Sequence, residues 1–596
     1  MKKLTLLAII LTSIALTSSC GPKQESPKSA AEISQASGDG IFKYTITTDI
    51  DYTIATDIDA KSDNIEILVA MNSVDGQYSI NYDLDCEGDG EFEKKGLTKN
   101  VKCVYKKNSG KHQIWVRGEI PAMYLCSRRR DDIDCGPKVP KEEKVLTCDA
   151  PMRNDHSDYA VVSIDSWGNV PWKSMHLFAA QCLVLESLPQ ENPDLRQVKD
   201  MSGTFLYTWS LNQPLEQWDV SHVTNMESMF DGARAFNQPL EKWNVSNVTD
   251  MSRMFCDAES FNQPLEAWNV SNVTDMSWMF CNNEVFNQPL EKWNVSNVTN
   301  MEKMFMGARA FNQPLEAWNV SNVTSMNKLF DNADSFNQPL EKWDVSNVTD
   351  MSSMFFDADS FNQPLEAWNV SNVTNMEMMF MYASSFNQPL EAWNVSNVTD
   401  MSNMFDGADS FNQPLEAWNV ANVTYMSEMF DGADSFNQPL EKWNVANVTN
   451  MSEMFRKATS FNQPLGTWNV SNVTDMHEMF REATSFNQPL GTWNVSNVTD
   501  MHEMFRKATS FNQPLGTWNV SNVENMDYMF YSARAFNQPL DKWDVSNVIS
   551  MHGMFYDAKS FSHYPKNWII PSFYPEDMFA GTKVEEQYKK SPLKTK

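Results

Sequence analysis

Hydrophobic and polar positions recur every 25 residues from Leu211 to Ser560, a span of 350 residues and fourteen units. One copy reads Phe261-Asn262-Gln263-Pro264-Leu265-Glu266-Ala267-Trp268-Asn269-Val270-Ser271-Asn272-Val273-Thr274-Asp275-Met276. A fixed period of this length marks a solenoid, in which no unit buries its apolar face alone and each packs on its neighbours. Within a unit, Leu215, Trp218 and Val220 form a near-alternating run. This predicts one short parallel strand with Trp218 and Val220 facing inward. Val223, Met226, Met229, Phe230, Ala233 and Phe236 follow at gaps of three, three, one, three and three. That stripe predicts one short helical turn, with Thr224, Thr249 and Thr274 as N-caps of successive copies. Asn237-Gln238-Pro239 then turns the chain back, because Pro removes a donor and restricts the residue before it.

Stacking in register puts like residues over like. Trp218, Trp243, Trp268 and their successors to Trp543 predict an indole column, flanked by columns of Phe and Met. Asn237, Asn262 and Asn287 begin a further column whose amides can bond to the adjacent turn. Asn244-Val245-Ser246 and Asn247-Val248-Thr249 also recur as sequons.

The motif Trp-Asn/Asp-Val-Ser-Asn-Val-Thr-Asp/Asn-Met-Ser-x-x-Met-Phe-x-x-Ala-x-x-Phe-Asn-Gln-Pro-Leu resembles the repeat of the BspA-like family of leucine-rich-repeat bacterial surface proteins. The resemblance implies a leucine-rich-repeat-type solenoid on a cell surface, with adhesion or host contact as the activity. It names no ligand.

Before the repeats, Lys2-Lys3 and the apolar run Leu4 to Leu16 read as a signal peptide over residues 1–19. Leu16-Thr17-Ser18-Ser19-Cys20 resembles a bacterial lipobox, with Thr17 where Leu is commoner. The resemblance implies lipidation at Cys20, an anchor on the cell surface at the bacterial outer membrane, and a flexible tether over residues 20–40. Short alternating runs over residues 41–125 predict a small antiparallel β-sandwich. Tyr82 to Gly90 and Tyr105 to Gly118 are similar to polycystic-kidney-disease-type immunoglobulin-like domains. A Cys-containing linker (126–160) and an N-terminal cap (161–210) lead into the repeats. A C-terminal cap (561–585) and a disordered basic tail (586–596) follow them.

Composition narrows the partners. A net charge of −30 and a pI near 4.6 repel phosphate, which argues against nucleic acid and leaves a lipid anchor as the sole tie to a membrane. Setting Cys20 aside leaves eight cysteines, six of them between Cys86 and Cys182. An even number in an exported chain predicts disulfides, and the sequential pairing is Cys86 with Cys103, Cys126 with Cys135, and Cys148 with Cys182. Whether Cys256 and Cys281, one period apart, also pair depends on the spacing of their column. Asp83, Asp85, Glu87 and Asp89 alternate like the start of a calcium loop, but Lys94 stands where a bidentate acid is wanted. A solvated acidic hairpin is the preferred reading.

No phosphate loop, nucleophile elbow or zinc-protease motif occurs, and no cofactor is expected. His477-Glu478 and His502-Glu503 stand in near-identical repeats, so duplication accounts for them. Variation concentrates beside Met-Phe, where Trp278, Met306, Phe356, Met378, Met381, Tyr382, Tyr528, Tyr531 and Tyr556 replace small or charged residues. Arg456, Arg481 and Arg506 there take the place of Asp231, Asp406 and Asp431. Aromatic, Met and Arg changes on a constant scaffold are what a contact face shows. The expectation is a non-catalytic display module that binds a protein or glycan of a host or neighbouring cell. A spacer stalk and a carbohydrate-binding or carbohydrate-active solenoid are the alternatives; an enzyme of that kind calls for an interrupted coil with clustered acids.

Overall fold

A computed structural model describes residues 40–47, 64–71, 80–106, 109–125, 160–571 and 577–595. The signal peptide, Cys20 and its tether, and Cys126, Cys135 and Cys148 lie outside the described residues.

The 25-residue units stack as coils, and the backbone of each coil explains why no helix forms in them. The N–H groups of Met226, Ser228, Phe230 and Gly232 donate to the carbonyls of Asp250, Ser252, Met254 and Cys256 in the next coil, at 2.8–3.0 Å. The alternate N–H groups of Met229, Asp231 and Ala233 bond back three residues, to Met226, Ser228 and Phe230. A helix keeps its N–H groups within its own segment; here every second one is spent on the neighbouring coil. Ser228 and Gly232 are left-handed, with φ of 53° and 68°, which a right-handed helix does not admit. The expected helical turn is therefore a run of successive tight turns, and the three-residue gap is their corner-to-corner spacing.

The strand also lies elsewhere than expected. Each coil makes one parallel bridge, in the column Asp200, Asn225, Asp250, Asp275 and onward to Ser550, not at Leu215 to Val220. Trp218 and Val220 do face inward, at 5% and 1% exposure. In that segment side chains join the coils: the Trp243 indole N–H donates to Leu215 O at 2.8 Å, and the Asn247 amide to Ser221 O at 2.7 Å. Thr224, Thr249 and Thr274 cap nothing. The Thr249 N–H and hydroxyl both donate to Thr224 O of the preceding coil, and those of Thr274 do the same to Thr249 O.

Like residues stack as the repeat demands. Trp368 and Trp393 lie parallel within 1°, with centroids 6.4 Å apart, and Phe355 and Phe361 of one coil stack at 4.0 Å. Asn237 Oδ1 accepts the Asn262 N–H at 3.1 Å and the Gln263 amide at 2.9 Å, a link repeated along the array. The turn Asn237-Gln238-Pro239 is thus tied to the corresponding turn of the next coil.

Two antiparallel sheets precede the array. One runs β4 (Lys94–Leu97), β3 (Asn81–Asp85), β6 (Lys111–Glu119), β1 (Ile41–Thr47), β8 (Ala160–Ser166); the other runs β5 (Val101–Lys106), β2 (Asn64–Met71), β7 (Met123–Tyr124). Cys86 and Cys103 are joined, tying the end of β3 to β5. The sheet region does not end at 125, since β8 lies beyond the linker yet pairs with β1. The same strand starts the coil stack, because Ile164 N–H donates to Ser187 O. Phe42 of β1 packs on Trp172 and Phe178, and Trp167 on Trp218, so one apolar core runs from the sheets into the coils.

At the far end Phe579 stacks on Phe555 at 5.4 Å, and Trp568 continues the indole column. The expected disordered tail is instead part of the cap. α1 (Glu585–Lys590) places Tyr588 on Phe579, and β10 (Lys594–Thr595) pairs in parallel with β9 (Ile569–Ile570), with Leu593 buried beside them. Capping the last coil covers apolar surface that would otherwise invite edge-to-edge growth. Among the described residues no helix is long and apolar enough to cross a membrane.

Candidate interaction face

After Met226 the coil runs Glu227-Ser228-Met229-Phe230-Asp231-Gly232. Met229 and Phe230 and their counterparts are buried in every coil, whereas the other four positions range from buried to exposed along the array and build a face. Since the ladder between coils uses backbone groups only, side chains at these positions can change without breaking it. The 228 and 232 columns are left-handed in all fourteen coils. Read from the N-terminal end, the face passes through zones of different chemistry.

In the first zone the Trp278 indole lies between two cations, Arg253 at 4.9 Å and Lys303 at 3.9 Å from its centroid. Arg253 Nε also donates to Asp231 at 2.9 Å. Beside them opens a groove of about 860 Å³, whose lining includes Val285, Met306 and Phe356 with Arg309, Lys328 and Asp331. Phe356 then meets Tyr382 edge-on at 5.8 Å. Tyr382 lies over Gly407 of the next coil, where a Cβ would come within 2.3 Å of the ring. Tyr382 and Tyr556 are exposed at 43% and 39%; the other predicted face residues are half-buried.

Next come three carboxylates, Asp406, Glu428 and Asp431, whose ligand-capable oxygens lie within 4.8 Å of one another. Burial first, and the Asp431 charge second, push Asp406 up to about 7. Arg456 Nε donates to Asp431 at 2.9 Å and opens an ion-pair ladder. Arg456 pairs with Glu453 of its own coil and Glu478 of the next; Arg481 pairs with Glu478 at 2.7 Å and Glu503 at 3.0 Å; Arg506 pairs with Glu503 at 2.7 Å. The three predicted arginines are therefore mostly spent on glutamates. The i, i+3 spacing of Glu453 to Arg456 was the available sign of this.

His477 and His502 stack at 4.7 Å. Each bonds a carboxylate of its own coil through Nδ1, Asp475 at 2.7 Å and Asp500 at 2.8 Å. Hydrogen bonds to Asp475 and Glu453 push His477 up to about 10, so both rings belong to the ion-pair network. The last zone is aromatic: Tyr531 stacks on Tyr556 at 5.1 Å, Tyr528 meets Tyr531 edge-on at 5.8 Å, and the Arg506 guanidinium lies 5.1 Å from the Tyr531 centroid.

The structure brings Tyr528, Tyr531, Tyr556 and Arg506 into one cluster, and Phe356 and Tyr382 into another. Trp278 with its two cations stands apart from both. In the acidic hairpin two carboxylates are spent on protein partners. Asp85 accepts the N–H groups of Glu87, Gly88 and Gly90, and Asp83 is held by Arg117 at 3.0 Å. No three of Asp83, Asp85, Glu87 and Asp89 bring donor atoms within 4.8 Å of one another. Cys182 is disulfide-bonded, whereas Cys256 and Cys281 are free and buried.

A family model described as "Mycoplasma protein of unknown function, DUF285" matches residues 173–290, 264–366, 385–489 and 458–568. No curated protein matches the chain. The matches run from residue 173, next to Trp172, to the last indole of the column and together span more than half of the sequence, so the chain belongs to the DUF285 repeat family.

Proposed function

We propose that the protein is a lipid-anchored surface module of the BspA-like, leucine-rich-repeat type that binds a protein or glycan of a host or neighbouring cell without catalysis. The observation that carries this reading is the contrast inside each coil. The interior repeats nearly unchanged, while the four columns beside Met-Phe differ from coil to coil and sort into a cationic indole, a groove, an acidic patch, an ion-pair ladder and a tyrosine cluster. A face of this kind offers several unlike contacts to one extended partner, and engagement at several points multiplies weak affinities. Tyr and Arg in the last zone are the residue types that dominate binding energy at interfaces.

The clustered acids of the carbohydrate-active alternative are present at Asp406, Glu428 and Asp431. The two aspartates are only 4% and 3% exposed, and the coils run on through them without interruption. Their burial and the uninterrupted coils favour the non-catalytic reading.

Binding of the purified chain to host-protein and glycan arrays tests the reading. Replacing Tyr528, Tyr531 and Tyr556 together with Ser is expected to weaken attachment at least tenfold with an unchanged circular dichroism spectrum. Unchanged attachment refutes this choice of face. If replacement of Trp278, Met306, Phe356 and Tyr382 also leaves it unchanged, the array is a spacer.

A further inference from the structure

The column that supplies Asp231, Met306, Phe356 and Tyr531 to the face carries cysteine at two successive coils, Cys256 and Cys281. Both are free and 1% exposed. They occupy the same position in successive coils, which are tied at this level by the Asp257 N–H to Cys281 O bond of 2.8 Å. Two carboxylates close on the same point. Asp231, Cys256 and Asp257 bring one donor atom each within 4.8 Å of one another, and Cys256 Sγ already lies 3.8 Å from Asp257 Oδ2.

We propose that Cys256, Asp231 and Asp257, completed by Cys281 from the next coil, form a site for a thiophilic divalent cation of the Zn²⁺ class. Zinc bonds of roughly 2.0–2.3 Å in a tetrahedron set its ligands about 3.3–3.8 Å apart. The Cys256–Asp257 pair is at that spacing now, and the other two pairs among the three donors close to it by side-chain movements of about 1 Å or less. Two sulfurs with two carboxylate oxygens suit zinc or cadmium and are wrong for calcium or magnesium, which take oxygen alone. Arg253, which holds Asp231 at 2.9 Å, offsets one of the site's negative charges. Entry is provided for, because Asp257 and Asn282 line the wall of the open groove.

A bound dication displaces thiol protons, so affinity falls as the pH falls. Packing alone offers a different account, since buried cysteines commonly act as small apolar residues.

The experiment separates the two. The full chain, with its disulfides intact and handled under argon, is titrated with Cd²⁺ while thiolate-to-metal absorption in the ultraviolet is recorded, in parallel with Cys256→Ser and Asp257→Asn. The wild type is expected to bind one more Cd²⁺ per chain than Cys256→Ser, with a band that Zn²⁺ competes away and Ca²⁺ does not. Asp257→Asn, which keeps the packing, is expected to weaken that ion at least tenfold. Equal stoichiometry in wild type and Cys256→Ser overturns the proposal, as does finding Cys256 and Cys281 joined as a disulfide in the purified protein by peptide mass mapping. Thermal unfolding of both variants confirms that they remain folded during the titration.

Discussion

Trp393 offers a direct measure of what holds a coil in place. Its indole is 3% exposed, lies parallel to Trp368 and Trp418 at 6.4 Å each, and donates its N–H to Leu365 O at 2.9 Å. Leu365 O also accepts the Trp368 N–H at 3.0 Å, so replacing Trp393 with Phe removes a hydrogen bond without stranding its acceptor. The expected cost is about 1–2 kcal/mol, the low end for a lost hydrogen bond plus part of a ring. Trp393→Ala also vacates the volume between two rings that are each held by a bond of their own, and the walls have little freedom to collapse. The expected cost is about 3–5 kcal/mol. Because a stacked array is stabilised chiefly by nearest neighbours, the loss is local. Hydrogen exchange followed by mass spectrometry should show lost protection in the coil around Trp393 and in the two that touch it, and little change beyond residue 460. A loss below about 1 kcal/mol for Trp393→Ala would remove the indole column from the core. An equal loss along the whole array would contradict nearest-neighbour stacking.

Two titrations follow from the charged zones. His477 is raised from its ordinary 6.5 to about 10 by Asp475 and Glu453. Its contribution to stability is complete below the unfolded value and is lost as the pH rises through about 10. The thermal midpoint of the wild type should therefore fall more steeply between pH 7 and 10 than that of His477→Gln, and parallel curves would show that the pair contributes nothing. Asp406 is raised to about 7, first by burial, so the fold favours its neutral form. The stability linked to this carboxyl is present below about pH 4 and is lost as the pH rises toward 7. Asp406→Asn should flatten that window and raise the unfolding free energy at pH 8, measured by denaturant titration, by up to about 4 kcal/mol at 1.36 kcal/mol per unit. A variant less stable than the wild type at pH 8 would refute the assignment.

The period, the inward Trp and Val and the stacked Asn turn were legible because each depends on composition at a fixed register. The path of the backbone was not. Gaps of three between Val223, Met226 and Met229 suit a helical stripe, but a helix of 3.6 residues per turn mixes threes with fours. Threes with no four among them were the sign of turns. A second sign lay in the columns at 228 and 232, which hold no Val, Ile, Thr or Pro in any coil, and the second is rich in Gly, Asn and Asp. These are the residues that a left-handed backbone admits or excludes. The membership of β8 in the first sheet was hidden for a different reason: it pairs with β1 across more than a hundred residues, and no local pattern encodes that register. In the candidate face the aromatic positions could be read singly. The pairing of Arg456 with Glu478 and of Arg481 with Glu503, each in the next coil, could not, since it needs the stacking distance.

Left-handed geometry also bears on why the face varies as it does. A non-glycine residue in that region costs of order 1 kcal/mol, and the cost persists only where surrounding structure over-determines it. Here the bonds between coils over-determine it, since Ser228 N–H and Gly232 N–H are both committed to the next coil. Glycine would relieve the strain at either column, and it does so at Gly232, Gly307, Gly407, Gly432 and Gly553. Three of these five make room for a ring: Gly232 lies under Tyr207, Gly407 under Tyr382 and Gly553 under Tyr528. Trp278, Met378, Tyr382 and Tyr528 hold left-handed φ of 53–60° with large side chains instead. At these positions the array carries strain in order to place a ring or a thioether on its surface, and lays glycine in the next coil to receive three of the tyrosines. Stacking sets the left-handed backbone in every coil but does not call for large side chains on it, whereas a face that presents its aromatic groups at set heights does.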